Sequence, residues 1–490
     1  MTDLRDSIRR VQQNLRGRLI VPYQADGVFW MLKRESDPRY PGGLLCDDMG
    51  LGKTIQTIAT TIGNPRPTTL IVAPKAVVKQ WTEAFRRFAG VDPVVITTST
   101  VKKLADLTVG DVEGHAVAIT TYPTLIAAPD PFLAAKFSRL VCDEVHVIRN
   151  SSSRINKIVT KIDARIRWGL TGTPVIKNLR DFSNLMVFLG RVPLDRHQLL
   201  GMKNAYVLRR TKEDVATVTE RLRLPPLDMR LVSSPFRYDA EQRLYDDVRE
   251  EGRLTLAAAA GDSKSFEVFE AILRMRQVVT NPRIFAEGMK TKKKSSDDFD
   301  YPVEWDSASM CTKLEILTEL IKEQPKKEKT LIFCHWMLEM DDVQAALRER
   351  LGVASLRFDG SMSAERRAET IARFESSPTD NFLVIQIDCG GVGLNLQAAT
   401  RVYINSVHWN AANELQAIGR THRTGQTQRV VVTRLIIEGT IDEYIVQKQA
   451  GKLGIAAETL DDPRLLKRLD DAEGLTKTIT KKELARIFSA

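Results

Sequence analysis

The sequence predicts an α/β protein built on two parallel sheets, and three observations carry that expectation. Short, near-continuous apolar runs alternate with helical patterns from residue 42 to residue 174, and a second series of the same kind begins near residue 329. Strands without polar alternation are buried on both faces, as in a parallel sheet covered by its crossover helices. The third observation is a glycine turn, Gly42-Gly43-Leu44-Leu45-Cys46-Asp47-Asp48-Met49-Gly50-Leu51-Gly52-Lys53-Thr54, after which Ile55, Ile58 and Ile62 recur at helical spacing. That is a strand–loop–helix whose backbone N–H groups can wrap a polyphosphate.

Each element follows from a local pattern. Residues 1–20 read as a basic amphipathic helix. The first sheet takes the run before the loop and the runs at 69–74, 116–120, 139–144 and 167–174. Residues 180–285 read as helical, interrupted by a basic block, Leu208-Arg209-Arg210-Thr211-Lys212, and by Pro225-Pro226. Residues 287–303 are charged and apolar-poor, the composition of a mobile loop. The second sheet takes the runs at 330–334, 355–358, 382–387, 401–404 and 430–437 and has no phosphate loop of its own. Past Ile441 the chain turns helical and charged, with a capping-box start at Thr480 for a last short helix.

Composition narrows the class. A chain of 490 residues has room for two or three domains. With 43% hydrophobic and 27% charged residues it reads as globular, and its net charge of +10 favours a polyanionic partner. The 5 cysteines and 6 histidines show no paired or ligand spacing, so neither a disulfide framework nor a structural zinc is expected. No apolar run reaches the roughly 18 residues of a membrane span, and the N-terminus lacks a signal core. The expected setting is soluble and intracellular, nuclear in a eukaryote and otherwise cytoplasmic or viral.

The chemistry is carried by a few positions. In the loop, Lys53 would reach the β- and γ-phosphates of ATP and Thr54 would take a place on Mg²⁺. Gly50 and Gly52 allow close approach of backbone to phosphate, although Asp47 stands where the strict motif has its first glycine. Ahead of the loop, Tyr23-Gln24 can hold adenine, with a plain helix start as an equal alternative. About ninety residues beyond Lys53, Asp143-Glu144-Val145-His146 follows a buried strand; there Asp143 can hold the metal and Glu144 can orient and deprotonate the attacking water. Thr171-Gly172-Thr173-Pro174 ends another strand of the same sheet, where its hydroxyls could sense the γ-phosphate. In the second series, Gln416, Arg420 and Arg423 fall at i, i+4 and i+7, one face of a helix. Two guanidiniums there suit the spreading charge of a phosphoryl-transfer transition state, and hydrolysis would then require the two lobes to close.

With these blocks assembled, the chain resembles the SWI/SNF-related family of superfamily-two helicase-like ATPases, from about residue 20 to the C-terminus. The resemblance rests on the loop Asp47–Thr54, the block Leu208–Lys212, Leu331-Ile332-Phe333-Cys334-His335-Trp336, Phe358-Asp359-Gly360-Ser361-Met362, Gly390-Gly391-Val392-Gly393-Leu394-Asn395-Leu396 and Arg420-Thr421-His422-Arg423-Thr424-Gly425-Gln426. It implies two RecA-like lobes with helical protrusions between them and a C-terminal brace helix. On that pattern, 1–225 form the first lobe with its N-terminal helix and first protrusion, and 226–310 form the second protrusion, linker and insert. Residues 311–450 form the second lobe with the arginine fingers, and 451–490 form the brace and tail. There would be little room for flanking modules.

The resemblance also implies roles. Lys53, Asp143, Glu144, Arg420 and Arg423 would be catalytic, with Thr54 and Asp143 on the metal. Tyr23, Gln24, Asp48, Met49, Gly50, Leu51, Gly52, Lys53, Thr54, Gly393 and Gln416 would line the nucleotide. Backbone contacts to duplex DNA would come from Lys75, Gln80, Trp81, Thr121, Tyr122, His335, Trp336, Gly390, Gly391, Asn395 and Trp409, and His146, Thr171, Gly172 and Thr173 would couple the two. For Trp336 and Trp409 core packing remains an equal alternative. Two positions depart from the pattern: Ala411 stands in place of proline after Trp409-Asn410, and Val145 in place of a small residue. The implied activity is ATP-driven translocation on double-stranded DNA by a monomeric motor that remodels protein–DNA complexes, with nucleosomes as one candidate target. A strand-separating helicase, a transcription-linked ATPase and a non-hydrolysing scaffold stay open as alternatives.

Overall fold

The apolar runs become strands, and every strand pairing among the described residues is parallel. The computed structural model describes residues 4–20, 22–104, 116–172, 179–190, 196–218, 224–258, 265–293, 311–390, 394, 396–423 and 425–460. Two compact units emerge, one mainly Met1–Leu224 and the other mainly Pro225–His422 with Gln426–Gly454.

In the first unit the strands are β1 (Gly42–Leu45), β2 (Thr68–Ala73), β3 (Val94–Val95), β4 (Ala116–Thr121), β5 (Lys136–Asp143), β6 (Asp163–Leu170) and β7 (Val207–Leu208). Their order across the sheet is β3-β4-β2-β5-β6-β1-β7. The step from β1 to β2 therefore passes over two strands, and β5, β6 and β1 end side by side. Asp143 pairs with Leu170, and Leu170 pairs with Leu45, so the segments that follow these three strands leave one edge as neighbours. This is where open α/β sheets bind ligands.

The core explains the strand composition. Leu45, Ile58, Ile71, Trp81, Phe85, Val141, Trp168 and Leu170 form one buried cluster. Beside it lies a buried ion pair, Glu35 with Arg139, whose side chains are 0% and 1% exposed. Glu35 also accepts from Trp168 Nε1 at 2.9 Å and Asn64 Nδ2 at 2.6 Å. Every lone pair used is matched, which makes such a pair tolerable inside a protein. It bolts the Tyr23–Glu35 helix, on which Tyr23 and Gln24 ride, to β5 and β6.

In the second unit the strands are β8 (Leu227–Ser234), β9 (Thr330–Cys334), β10 (Leu356–Phe358), β11 (Phe382–Gln386), β12 (Arg401–Ile404) and β13 (Val430–Ile437), ordered β10-β11-β9-β12-β13-β8. Within the span read as helical, Val207–Leu208 and Leu227–Ser234 are instead strands. β8 is an edge strand with an irregular, half-exposed pattern, so no period betrays it. The span also holds the Asp239–Ala258 and Ser265–Thr280 helices. The next helix, Pro282–Lys293, takes in residues 287–293 of the segment read as a loop; residues 294–303 and the helix expected at Thr480 lie outside the described residues. These helices bury Tyr245, Val248, Ile272 and Met275 against Ile436, Ile437, Ile441 and Ile445, tying them to β13 and the Ile441–Leu460 helix.

Glu241 seals this junction. Its carboxylate accepts the Thr312 backbone N–H at 3.1 Å and the Thr312 hydroxyl, capping the Thr312–Glu323 helix from another segment. Burial pushes its carboxyl up to about 7, aided by the Glu315 charge and opposed by Thr312 and Lys313.

Two stability predictions follow from these buried charges. Arg139→Met strands the Glu35 carboxylate and should cost about 3–5 kcal/mol in urea denaturation. For Glu241, the folded state holds its proton to higher pH than the ordinary 4.5. Its contribution to stability is therefore full below that value and declines as pH rises through about 7. Glu241→Gln should remove this decline, so its melting temperature gains on the wild type between pH 5 and 7.5, read by thermal melts across about that range.

Candidate active site

The loop after β1 gathers where the sequence places it. Gly50 and Gly52 hold positive φ, 90° and 75°, which glycine adopts without strain. A Cβ on Gly52 would also overlap Gln24 Nε2. Lys53 opens the Lys53–Gly63 helix, and its ammonium donates to Asp47 O at 2.8 Å and Asp48 O at 3.4 Å. Thr54 is half-buried in the first turn beside it. Leu51 is buried with Tyr23 and Val215. Gln24 donates to Tyr23 Oη at 3.1 Å and Leu51 O at 3.3 Å, and accepts from Ile20 N at 2.8 Å. The aromatic–glutamine pair thus meets the loop through residues 24 and 51–52. Burial raises the Tyr23 hydroxyl to about 12, leaving it neutral.

Asp143 and Glu144 sit at the carboxyl end of β5. Asp143 accepts from Trp81 Nε1 at 2.8 Å and from the Glu144 N–H at 3.0 Å, while Tyr122 Oη donates to its backbone carbonyl at 2.6 Å. Burial and the neighbouring Glu144 charge push the Asp143 carboxyl up to about 6, against the Trp81 hydrogen bond and the Lys53 charge. Glu144 is the non-glycine residue with positive φ among those described, at φ 50°. A left-handed glutamate costs of order 1–3 kcal/mol and persists where the surroundings impose it. Here they do: Glu144 Oε2 lies 3.2 Å from His146 Nδ1 and accepts from Thr171 Oγ1 at 3.3 Å. His146 and Thr171 close the triangle at 3.4 Å.

Gly172 completes the edge, since a Cβ there would overlap Met49 and approach Lys53 Nζ to 3.1 Å. Val145 is accommodated by Gly169, whose added Cβ would lie 2.9 Å from a Val145 methyl. The Asp143 carboxyl, raised in pKa by burial and by the Glu144 charge, is one that a divalent cation would relieve, which fits its expected place on a magnesium ion. Thr173 lies outside the described residues.

Two of the residues expected on DNA need correction. Trp81 is 1% exposed and Tyr122 is 5% exposed; both spend their polar tips on Asp143, so neither ring is presented to solvent. Thr121 turns its hydroxyl to the Thr124 N–H at 3.2 Å as the cap of the Tyr122–Ala127 helix. Lys75 and Gln80 are exposed.

In the second unit His335, Asp388 and His408 follow β9, β11 and β12, and one ligand-type atom from each lies within 4.8 Å of the others. His408 Nδ1 takes the Asn410 N–H at 2.9 Å, and its Nε2 lies 3.3 Å from Asp388 Oδ1. Burial, Arg276 and His408 pull His335 down to about 4, so it is neutral. Trp336 is half-buried with the Arg276 guanidinium 5.2 Å from its ring centroid, and Trp409 packs beside Tyr444.

Glu339 is the organiser that the sequence did not reveal. It accepts from His335 N at 2.7 Å, Trp336 N at 3.2 Å, Asn405 Nδ2 at 2.7 Å and Ser406 Oγ at 2.5 Å. Glutamate three residues after Trp336 lacks the usual Ser or Thr cap, so no pattern marks it.

Gln416, Arg420 and Arg423 do not share a helical face. The Ala411–Ile418 helix ends before the arginines: the Arg420 N–H bonds Ala417 O at 3.1 Å and the Thr421 N–H bonds Ile418 O at 3.0 Å, the three-residue spacing of a turn. Arg420 and Arg423 lie in the turn beyond. Ala411 opens that helix, a position proline also suits. Gly390 ends the Ile387–Gly390 helix, while Gly391, Gly393 and Asn395 lie outside the described residues.

The loop, the Asp143–Glu144 pair and the parallel sheets define the class: a helicase-like nucleoside triphosphatase with RecA-like lobes. An SNF2-related domain matches residues 23–199, and a helicase conserved C-terminal domain matches residues 312–425. The chain thus carries an SNF2-related domain followed by a helicase conserved C-terminal domain. It is 28% identical over 488 residues to an uncharacterized ATP-dependent helicase of Mycoplasma pneumoniae, covering 95% of this chain and 44% of that protein. It is 29% identical over 482 residues to a probable global transactivator of Orgyia pseudotsugata multicapsid polyhedrosis virus, covering 90% of this chain and 91% of the viral one. Among solved structures, the Sulfolobus solfataricus SWI2/SNF2 ATPase core in complex with dsDNA matches at 24% identity and a TM-score of 0.39, over 94% of this chain and 98% of that one. No helix among the described residues is long and apolar enough to cross a membrane.

The Asp143 geometry yields a direct test. Trp81→Phe keeps the ring and deletes one hydrogen bond to a carboxylate, worth about 1.5–3 kcal/mol. ATP turnover at saturation should fall about tenfold or more, while nucleotide affinity, measured by fluorescence titration, stays near the wild-type value.

Proposed function

We propose that this chain is a DNA-dependent ATPase that translocates on duplex DNA and remodels protein–DNA complexes. The observation that supports it most is the joint placement of the Lys53 loop, Asp143–Glu144 and Thr171 on the edge where β1, β5 and β6 end. Lys53 takes the β- and γ-phosphates, exchanging two backbone carbonyls for phosphate oxygens. Glu144, steadied by His146 and Thr171, orients the attacking water and accepts its proton. Thr54 and Asp143 would hold Mg²⁺, which would neutralise charge on the phosphates when bound. Arg420 and Arg423 supply the guanidiniums that meet the transferring phosphoryl group.

For DNA, Lys75, Gln80 and Thr121 on the first unit and His335, Trp336 and Trp409 on the second are the contact candidates. A net charge of +10 accords with a polyanionic track. The reading of Trp81 and Tyr122 as DNA contacts is dropped in favour of their support of Asp143. The name of the viral relative, a probable global transactivator, favours a transcription-linked ATPase as the second reading.

Hydrolysis should rise when duplex DNA is added, and Lys53→Ala or Glu144→Gln should lower it by about 10²-fold or more, as expected for loss of phosphate contact or general base. Glu144→Gln should still bind nucleotide. Displacement of a triplex-forming strand measures translocation, and release of a labelled strand from forked DNA would replace that reading with strand separation. Binding should weaken linearly in log–log terms with salt, because phosphate contacts release counterions.

A further inference from the structure

The block Leu208–Lys212 has no part in the chemistry above, yet it is hydrogen-bonded to the phosphate loop through both backbone and side chains. Two backbone hydrogen bonds start the join, Cys46 N–H to Leu208 O at 2.7 Å and Asp48 N–H to Arg210 O at 2.9 Å. The loop's first half thus continues the pairing of β1 with β7. Side chains complete it. Arg209 donates to Cys46 O at 2.9 Å and Asp48 Oδ1 at 3.3 Å, and the Lys212 N–H reaches Asp48 Oδ2 at 3.3 Å.

Arg210 is the hub. Its Nε donates to Asp47 Oδ1 at 3.0 Å and its Nη2 to Asp47 Oδ2, a forked pair with a carboxylate that is 0% exposed. The same Nη2 donates to Gln56 Oε1 at 2.8 Å, and Nη1 donates to Tyr23 O. Gln56 Nε2 returns to Asp47 Oδ2 at 3.2 Å and to Leu51 O at 3.2 Å. One guanidinium therefore joins the Tyr23–Gln24 segment, the start of the loop and the helix after it. Gly27 bears independently on the same point. A Cβ there would overlap Gln56 Oε1 and come within 2.6 Å of Arg210 Nη2, so the Tyr23–Glu35 helix carries a glycine where this network crosses it.

We infer that Arg210, with Arg209, is a positioning residue for nucleotide binding: it holds Asp47 and Asp48 so that the loop keeps its phosphate-ready shape before ATP arrives. The carbonyls of Asp47 and Asp48 are those on which the Lys53 ammonium rests. The aspartate at the position of the missing first glycine becomes intelligible on this basis. A fixed ion pair with a distant arginine replaces backbone freedom as the means of shaping the turn. Arginine suits the task because its planar fork can satisfy a carboxylate, an amide and a carbonyl together, which a lysine ammonium cannot do from one position. The inference rests on the ATPase reading of the same loop.

The test is ATP titration of the full chain, with steady-state hydrolysis in duplex DNA and with binding of a fluorescent ATP analogue. Arg210→Ala should raise the KM for ATP and the Kd of the analogue by about tenfold or more, the scale of losing charge-assisted hydrogen bonds. The kcat at saturating ATP and the affinity for duplex DNA should stay near the wild-type values, and Arg210→Lys should fall between. If Arg210→Ala does not fold by circular dichroism, Gly27→Ala perturbs the hub without removing charge and should raise KM in the same direction. KM and Kd within about twofold of wild type in a folded Arg210→Ala or Gly27→Ala chain overturn the inference. So does a loss confined to kcat. Nucleotide binding that vanishes in Lys53→Ala but is unaltered in the Arg210 and Gly27 variants overturns it alone; a wild-type chain that binds no nucleotide overturns the ATPase reading with it.

Discussion

Parallel pairing of β5, β6 and β1 in a single register is the constraint on which the nucleotide edge depends. Asp143, Leu170 and Leu45 are partners across three adjacent strands, so the segments that follow them must emerge together. The loop, the acidic pair and Thr171 need no long-range guidance beyond this. A slip by one residue would turn each strand's side chains to the opposite face, and the buried carboxyl-terminal halves of these strands have no polar face to accept it. The apolar composition that makes the strands legible also locks the active edge.

Burial then tunes what the register has gathered. Asp143 is placed among Trp81, Tyr122 and the end of a core strand, where its charge is disfavoured and its orientation fixed. Glu144 is thrown into a left-handed backbone by the turn that follows and is caught by His146 and Thr171. Those contacts offset the cost of that conformation, so the glutamate is presented without a flexible search. The same economy recurs in the second unit, where Glu339 collects four donors and thereby sets the turn bearing His335 and Trp336. In both units an acidic group inside the fold organises the polar residues at the edge.

Much of this was legible in the sequence, and the exceptions have physical reasons. Uninterrupted apolar runs and the glycine turn announce the sheets and the loop, because burial on two faces and close backbone approach leave few residue choices. β8 has no signal in the sequence because this edge strand is half-exposed and carries no period. The family resemblance implies DNA contact for Trp81 and Tyr122, but an aromatic ring with a polar tip suits a surface or a buried acceptor equally well, and only the three-dimensional partner decides. Arg420 and Arg423 share a helical face only while the helix continues; the backbone instead goes over to the three-residue hydrogen bonds of a turn at Arg420 and Thr421. The Arg210–Asp47 pair spans 163 residues and has no local signature at all.

The edge formed by β1, β5 and β6 is tested most directly by a structure of the chain with Mg²⁺ and a beryllium fluoride complex of ADP. The terminal group should lie within hydrogen-bonding distance of Lys53 Nζ, released from the Asp47 and Asp48 carbonyls, with Glu144 facing the attacking water. A nucleotide bound elsewhere, or a Lys53 still resting on those two carbonyls with the analogue in place, would contradict the assignment of this edge as the site of hydrolysis.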